Sequence, residues 1–293
     1  MAIFRGAGVA IVTPFKEDGS VDFDNYGELI EWQIAEGTDA IISCGTTGEA
    51  STMTDEEQIE VVEYCVNKVK GRVPVIAGAG SNDTKHGINL SVEIEKIGAD
   101  ALLQVTPYYN KATQKGLIQH YTAIADSVNI PMILYSVPGR TGVNIKPNTV
   151  LELSKHPNIV AIKEASGNIS QCAEIARLVP DDFSMYSGND DMVTPLLALG
   201  GDGVISVLSN VAPKATHDMV QKFFDGDIAG SIEIQLGVKP LIDALFAEVN
   251  PIPVKAALDI MGKSKMNFRL PLCEPEAATM ALLEKELKAF GVL

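Results

Sequence analysis

The feature that most constrains the fold of this chain is a regular alternation of short apolar runs with amphipathic helical segments. The runs are strand candidates that begin near Gly8, Ala40, Val73, Ala101, Pro131, Ile159, Phe183 and Gly203. They are rich in β-branched residues and almost continuously apolar, which is typical of parallel strands buried on both faces. Strands followed in this way by helices predict an α/β fold, a (β/α)8 TIM barrel.

The helix boundaries agree with this alternation. Thr54 and Glu57 form a capping-box pattern ahead of one helix, and Gly71 ends that segment. Pro147 suits the first turn of another helix. The alternative, a doubly wound sheet that binds a dinucleotide, needs a glycine-rich turn after the first strand. That strand instead runs into the sequence TPF at 13–15, so the barrel is favoured.

The domain organisation follows from where the eighth strand and its helix end. We predict a barrel catalytic domain at 1–224 and a small C-terminal helical domain at 225–293, because helical periodicity continues there with turn breaks at 250–253 and 269–275. A helical layer packed back on the barrel is a milder alternative that the sequence leaves open.

Composition limits the possible partners. The chain has 293 residues and a net charge of -15, so broad affinity for nucleic acid or an acidic membrane is excluded and small-molecule substrates are expected. The sequence shows neither a signal-peptide pattern nor an apolar run of about 18 residues, and it predicts a cytoplasmic protein. The cysteines are too far apart for a zinc or disulfide motif: Cys44, Cys65, Cys172 and Cys273.

Lys163 is the first candidate catalytic residue. It ends the apolar run NIVAIK at 158–163, which places it at the carboxyl end of the sixth strand, where barrels keep their active sites. A buried lysine there can lose its proton and attack a carbonyl to form a Schiff base. The alternative is an ion pair with Glu164 at a strand end, without a catalytic role.

Other residues, most of them polar or glycine, follow the same ends of other strands, so the barrel predicts that they converge with Lys163. Two threonines between glycines can hold a small carboxylate, tyrosines can transfer protons, and an arginine can bind a second carboxylate. Each of these residues alone has an ordinary structural explanation, and their common position is the evidence. They are Gly45, Thr46, Thr47, Gly48, Glu49, Tyr108, Tyr109, Tyr135, Arg140, Gly188 and Ile205.

Metal, phosphate and non-enzymatic alternatives are less favoured. The histidines show no metal-ligand spacing, and Asp190 and Asp191 are interpreted as loop and helix-start residues. The loop after the seventh strand carries acids in GNDD at 188–191. No basic residue lies between this loop and Lys214, which disfavours a phosphate site. A catalytically silent scaffold protein would predict a broken set of site residues, and the set here is complete.

Seven ordered sequence blocks resemble the dihydrodipicolinate synthase (4-hydroxy-tetrahydrodipicolinate synthase) family of pyruvate-dependent class I aldolases. This family belongs to the N-acetylneuraminate lyase superfamily, and the resemblance covers essentially the whole chain. The blocks are GTTGE at 45–49, TPYYNK at 106–111, YSVPGRTG at 135–142, VAIKEASG at 160–167, YSGNDD at 186–191, GVISV at 203–207 and NPIPVK at 250–255.

The resemblance implies an enzyme that condenses pyruvate with L-aspartate 4-semialdehyde, the first committed step of the diaminopimelate and lysine pathway. Lys163 would form the Schiff base, and Thr46 and Thr47 would bind the pyruvate carboxylate. Tyr135 would act as acid and base, with Thr46 and Tyr109 completing its proton relay. In the family, the tyrosine that matches Tyr109 comes from a neighbouring subunit. This role of Tyr109 requires at least a dimer, and because the family is usually a tetramer built as a dimer of dimers, a homotetramer is expected.

For the second substrate, the resemblance implies that Arg140 binds the semialdehyde carboxylate and that Gly188 and Ile205 belong to the substrate site. Related aldolases act on N-acetylneuraminate or keto-deoxy sugar acids, and this remains the alternative function. The GRTG block at 139–142 favours the synthase. No metal or other cofactor is implied, because the covalent lysine imine carries the chemistry.

The resemblance also implies an effector cleft between subunits, where many members of the family bind lysine. Feedback-sensitive members place an acid at the position of His86 and histidines at the positions of Asp55 and Gln58. The acid that would bind the effector ammonium is therefore absent, and we expect weak or no inhibition by lysine. The cleft residues are Ser51, Asp55, Gln58, Asn82, His86 and Tyr108.

Overall fold

A computed structural model describes residues 2–293, and its centre is a closed barrel of parallel strands joined in chain order. The predicted (β/α)8 barrel is therefore confirmed, although the first strand begins two residues earlier than expected. The strands are β1 (Gly6–Ala10), β2 (Ala40–Ser43), β3 (Val75–Gly78), β4 (Ala101–Val105), β5 (Met132–Ser136), β6 (Ile159–Glu164), β7 (Ser184–Ser187) and β8 (Gly203–Ser206).

Helices surround the barrel, and the two whose starts were predicted from the sequence begin at those positions. Thr54 and Glu57 form the capping box of α2, and Pro147 opens α6. Within residues 2–293 no helix combines the length and apolar character that crossing a membrane requires. The helices are α1 (Phe23–Ala35), α2 (Asp55–Val69), α3 (Thr84–Lys96), α4 (Gln114–Ala125), α5 (Pro138–Thr141), α6 (Pro147–Leu153), α7 (Ile169–Leu178), α8 (Val193–Ala198), α9 (Pro213–Phe224), α10 (Ile228–Gly237), α11 (Lys239–Leu245), α12 (Ile252–Ile260) and α13 (Ala277–Phe290).

Because all strands are parallel, the barrel has two different ends. We call the end formed by the carboxyl ends of the strands the mouth, and the opposite end the floor. The pairing of β5 with β6 sets Tyr135 beside Lys163, and the pairing of β6 with β7 sets Tyr186 on the other side of Lys163. The strand register thus places Lys163 between two tyrosines.

The C-terminal helices share the hydrophobic core of the barrel. Buried residues such as Leu241, Val254 and Leu283 belong to the same cluster as β-strand residues such as Val9 and Leu134. Helices α11 and α12 also pack against the short turns that follow β7 and β8, at 190–192 and 208–210. This segment therefore covers part of the mouth, and the domain boundary at 224 stays a prediction.

Candidate active site

Lys163 and Tyr135 form the centre of the site. Both side chains are buried, with 5% and 7% of their surface exposed, and the Lys163 Nζ lies 4.4 Å from the centre of the Tyr135 ring. Within the described chain Lys163 forms no salt bridge. The alternative interpretation of Lys163 as a partner of Glu164 does not hold, because the Glu164 carboxylate accepts hydrogen bonds from the Ser166 N–H and the Gln171 amide.

A cavity of about 290 Å³ opens over these two side chains at the mouth. It is lined by groups of both charges, with Lys163 and Arg140 as the cations and Asp190, Asp191 and Asp243 as the acids. A cavity of this size accommodates small molecules rather than a polymer. The remaining predicted residues that line it are Gly45, Thr46, Thr47 and Gly188.

The turn after β2 presents the two threonines to the cavity. Thr47 is 2% exposed, and its Oγ1 accepts a hydrogen bond of 3.0 Å from the Asn250 amide. The Gly48 carbonyl accepts a 2.7 Å bond from the Thr13 hydroxyl. The Thr46 carbonyl accepts the backbone N–H of Glu49, which closes the turn. The turn is therefore fixed from several sides, as a preformed carboxylate site requires.

Arg140 lies at the edge of the same cavity, in α5. Its Nη2 donates a 3.0 Å hydrogen bond to the Asn250 carbonyl, so Asn250 connects Arg140 to Thr47. The guanidinium keeps further donors for a carboxylate. Asn250 opens the NPIPVK block, but no sequence signal indicates that it joins the two predicted carboxylate-binding elements.

Gly188 permits the close approach of β7 to Lys163. A Cβ at this position would lie 2.6 Å from the Ala165 Cβ and 3.0 Å from the Lys163 Cε. Its N–H also donates a 2.8 Å bond to the Glu164 carbonyl. Any larger residue would push against the lysine stem, so this glycine is required by space rather than by backbone conformation.

Asp190 does more than the sequence analysis assigned to it. It begins a short turn, as expected, but its carboxylate is 2% exposed and accepts bonds from the Ser206 hydroxyl, the Val207 N–H and the Leu208 N–H. Burial is the largest influence on this carboxyl and raises its pKa, while the hydrogen bonds and the charge of Lys163 act in the opposite direction. Asp190 thereby ties the loop after β7 to the loop after β8.

Two of the residues predicted for catalysis or substrate binding lie outside the cavity wall. Ile205 is fully buried in the barrel interior, in the same cluster as Tyr135, and does not line the cavity. Tyr109 is 92% exposed, with a left-handed backbone at φ 72°, and within one chain it does not reach Lys163. The structure of a single chain therefore assembles Lys163, Tyr135 and Thr46 but leaves Tyr109 in solvent.

A second, larger groove of about 430 Å³ adjoins the first and shares Thr46, Tyr135 and Arg140 with it. His86 Nε2 lies 2.8 Å from the Asp55 carboxylate, and His86 Nδ1 lies 2.9 Å from the Ser81 hydroxyl. Asn82 is outside the groove wall but donates to the Tyr108 carbonyl. The predicted effector residues that line the groove are Ser51, Asp55, Gln58, His86 and Tyr108.

The metal-ligating side chains of the described residues are scattered. Between residues 2 and 293 no three side chains of histidine, cysteine, aspartate or glutamate come together in a way that could hold a metal ion. The four cysteines are free, and burial raises the pKa of Cys44, Cys65 and Cys172 to about 12. These three buried thiols are not nucleophiles at neutral pH.

Comparison with known proteins gives one consistent result. The chain matches the model of the dihydrodipicolinate synthetase family over residues 3–290. It is 58% identical over 291 residues to the 4-hydroxy-tetrahydrodipicolinate synthase of Acetivibrio thermocellus, which covers 99% of both chains. The crystal structure of the dihydrodipicolinate synthase of Thermotoga maritima matches with a TM-score of 0.98, 45% identity and full coverage of both chains.

A monomeric dihydrodipicolinate synthase variant also matches, with a TM-score of 0.98, 45% identity, and coverage of 99% of this chain and 98% of that one. The family model and the identities extend over nearly the whole sequence. The chain belongs to the dihydrodipicolinate synthetase family.

Proposed function

We propose that this protein is an enzyme that condenses pyruvate with L-aspartate 4-semialdehyde to 4-hydroxy-tetrahydrodipicolinate, the first committed step of the diaminopimelate and lysine pathway. The observation that carries the proposal is Lys163 Nζ, which lies 4.4 Å from the Tyr135 ring in a small cavity and has no carboxylate partner among residues 2–293. An amine in that position is free to react with a carbonyl compound.

In the first half of the reaction, the Lys163 amine attacks the keto carbon of pyruvate, and loss of water leaves an iminium ion. The Gly45–Gly48 turn offers the Thr46 and Thr47 groups to the pyruvate carboxylate. Removal of a methyl proton then gives an enamine, because the cationic nitrogen accepts the electron pair. Tyr135 lies directly beside the nitrogen and is the proton carrier for these transfers.

In the second half, the enamine carbon attacks the aldehyde carbon of the semialdehyde, and the new alkoxide takes a proton. Arg140 at the cavity edge binds the carboxylate of this substrate. The substrate amine then attacks the imine carbon, closes the ring and releases Lys163 as the free amine. One water leaves per turn, and Lys163 is regenerated.

A turnover assay with two kinds of acceptor tests this proposal. With pyruvate held constant, aspartate semialdehyde is expected to be consumed with ring formation, whereas N-acetylmannosamine and sugar aldehydes are not. Lys163→Met is expected to abolish turnover while the protein stays folded, because methionine fills the same space without the amine. Turnover of a sugar aldehyde instead of the semialdehyde would assign the protein to the sugar-acid aldolases.

We further propose that the active unit contains at least two chains and that the protein is a homotetramer. Tyr109 is 92% exposed and held at φ 72°, and the neighbouring Tyr108 is 41% exposed, so two aromatic side chains lie together at the surface, and aromatic residues are enriched at protein interfaces. Its insertion into the cavity of a neighbouring chain would complete the proton relay with Thr46 and Tyr135. A monomeric variant exists among the relatives, so the assembly has to be measured for this chain.

Mixing two inactive variants tests the exchange of Tyr109. Tyr109→Phe and Tyr135→Phe are each expected to be poorly active alone. In a mixed assembly, the chain with an intact Tyr135 receives Tyr109 from its neighbour, so part of the activity should return. No recovery after exchange of subunits, or full activity in a protein with the mass of one chain, would contradict the proposal.

The proposed chemistry needs no cofactor, because Lys163 itself forms the electron-accepting imine. Activity is expected to survive exhaustive treatment with a metal chelator, and a loss that added metal reverses would contradict this. We place the enzyme in the cytoplasm. The four free thiols support that compartment, and cell fractionation would test it.

A further inference from the structure

Two residues of the resembling sequence blocks have no part in the reaction above, and the structure brings them together. Glu49 ends the GTTGE block and Lys255 ends the NPIPVK block. The Lys255 Nζ lies 2.5 Å from the Glu49 Oε1, and the two side chains are 1% and 0% exposed. This is a fully buried ion pair between the turn after β2 and helix α12.

The surroundings of Lys255 are mostly aromatic. Its Nζ lies 4.5 Å from the centre of the Phe15 ring and 5.2 Å from that of Phe268, and it also donates to the Thr13 carbonyl at 3.3 Å. Burial is the largest influence on both charges, and it raises the pKa of Glu49 and lowers the pKa of Lys255. An ion pair so deeply buried is weak as a source of stability, so another reason for its presence is needed.

The position of Glu49 in the chain supplies that reason. Glu49 directly follows the Gly45–Gly48 turn and has a left-handed backbone at φ 56°, a conformation that costs a glutamate free energy. Its N–H closes the turn by donating to the Thr46 carbonyl. When Lys255 fixes the Glu49 side chain, it therefore also fixes the turn that carries Thr46 and Thr47.

Lys255 reaches the same turn by a second route. The Thr13 carbonyl accepts from Lys255, and the Thr13 hydroxyl donates to the Gly48 carbonyl at 2.7 Å. The Lys255 ammonium is thus connected to both sides of the turn. It reaches one side through the Glu49 carboxylate and the other side through Thr13. Neither Glu49 nor Lys255 lines the cavity, so any effect on substrate must act through the turn.

We propose that Glu49 and Lys255, together with Thr13, are positioning residues that fix the Gly45–Gly48 turn for the carboxylate of the ketoacid substrate. This inference rests on the proposed function, in which Thr46 and Thr47 bind pyruvate. The ion pair holds the threonines in place before the substrate arrives, so that the lysine and the ketoacid carbonyl meet in the reactive geometry.

The experiment compares two double variants that each remove a charge pair next to Phe15. Glu49→Gln with Lys255→Met removes the pair beneath the turn and leaves no uncompensated buried charge. The matched control is Glu57→Gln with Arg269→Met. Arg269 also lies on the Phe15 ring, at 4.3 Å, and its charge acts on Glu49 and Lys255, but its side chain pairs with Glu57 of α2 and makes no hydrogen bond to residues 45–49. KM for pyruvate, KM for the semialdehyde, and imine trapping are measured for both.

The first double variant is expected to raise the pyruvate KM and slow imine formation by about tenfold to a hundredfold, because a small misplacement has effects of that size. The semialdehyde KM should change less, since Arg140 makes no bond to Glu49 or Lys255 and is connected to the turn only through Asn250. The control should lose thermal stability with an unchanged pyruvate KM. An unchanged pyruvate KM in the first double variant would overturn the proposal.

Thr13→Val keeps the test decisive if the double variant does not fold. This change removes the bond to the Gly48 carbonyl without touching either buried charge. It is expected to raise the pyruvate KM by a smaller factor, and no change would overturn the proposal. If the wild-type protein forms no imine with pyruvate, the proposed function itself fails, which is a different result from a variant that behaves like wild type.

Discussion

The two ends of the barrel use polar residues differently. At the floor, carboxylates bind the starts of neighbouring strands: the Asp39 Oδ2 accepts the Ala7 N–H at 2.7 Å, and the Asp100 Oδ2 accepts the Val75 N–H at 2.7 Å. At the mouth, polar atoms are buried without a hydrogen-bond partner among the described residues. Examples are Asn250 Oδ1 and Asn189 Oδ1, which belong to residues that line the cavity.

Backbone strain shows the same difference. Across residues 2–293, the non-glycine residues with positive φ are Cys44, Glu49, Lys70, Tyr109 and Lys111. Four of these follow β2 or β4 at the mouth, and Lys70 ends a helix. Such conformations cost about 1–3 kcal/mol each. The floor is therefore built for stability and the mouth for a site, as expected for a barrel enzyme.

The two tyrosines that flank Lys163 give the sharpest test of this difference. Tyr135→Phe is expected to lower kcat by about 10²–10⁴-fold, because it removes the proton carrier, with little change in the unfolding midpoint. Tyr186→Phe is expected to leave kcat nearly unchanged. The Tyr186 hydroxyl binds the Phe4 carbonyl at 2.7 Å and the Phe4 N–H at 3.3 Å, so its loss should destabilise the fold by about 1–3 kcal/mol.

Steady-state kinetics and thermal unfolding of both variants measure the two effects. If Tyr186→Phe lost activity as strongly as Tyr135→Phe while remaining folded, the division between the two barrel ends would be wrong. Equal losses of stability in both variants would also contradict the division between the two barrel ends.

The close packing around Gly188 at the mouth is tested by Gly188→Ala. The new Cβ would collide with the Ala165 Cβ and press on the Lys163 Cε, so imine formation is expected to slow by about tenfold to a hundredfold. Gly237→Ala is the matched control, because open space surrounds a Cβ there. Single-turnover trapping with pyruvate measures the rate, and an unchanged rate in Gly188→Ala would contradict the assigned crowding.

A histidine toward the floor gives a smaller, pH-dependent effect on stability. The His217 Nδ1 lies 3.0 Å from the Asp39 Oδ2, and this hydrogen bond raises the pKa of His217 above its ordinary 6.5. The folded state thus favours the protonated ring. The stabilisation is complete below about pH 6.5 and is lost as the pH rises through the folded pKa.

Thermal unfolding of wild type and His217→Gln at two pH values measures this effect. The difference in midpoint is expected to be larger at about pH 5.5 than at about pH 9. kcat of the two proteins at a common pH should be the same. A difference in midpoint that grows toward high pH would contradict the assignment.

The smallest expected effect concerns lysine as an inhibitor. The only acid among the predicted cleft residues is Asp55. Its Oδ1 already lies 2.8 Å from the His86 Nε2. An effector ammonium would have to displace that contact. Activity is therefore expected to stay unchanged in millimolar lysine, and strong inhibition under these conditions would contradict the prediction.

Much of the fold was predictable because its signals are local. The β-branched runs and the Thr54 capping box each depend on neighbours in sequence, and the parallel barrel then places every strand end at the mouth. Lys163 and Tyr135 could be brought together from this rule alone. The two residues lie side by side in the pairing of β5 with β6.

The rest could not be predicted, because it depends on how distant segments pack. Lys255 is 206 positions from Glu49 and meets it only because α12 folds over the mouth. The three hydrogen bonds of Asp190 come from the loop after β8, whose path no periodicity describes. Ile205 was expected in the substrate site because it is near the end of β8, but it is buried deeper in the barrel interior.

The central claim is that Lys163 forms a covalent imine with pyruvate, and borohydride trapping tests it most directly. The protein is incubated with pyruvate, reduced and analysed by intact mass and peptide mapping, with Lys163→Met as the control. One pyruvate-sized adduct per chain is expected, on Lys163, and none in the control. An absent adduct, or one on another lysine, would contradict it.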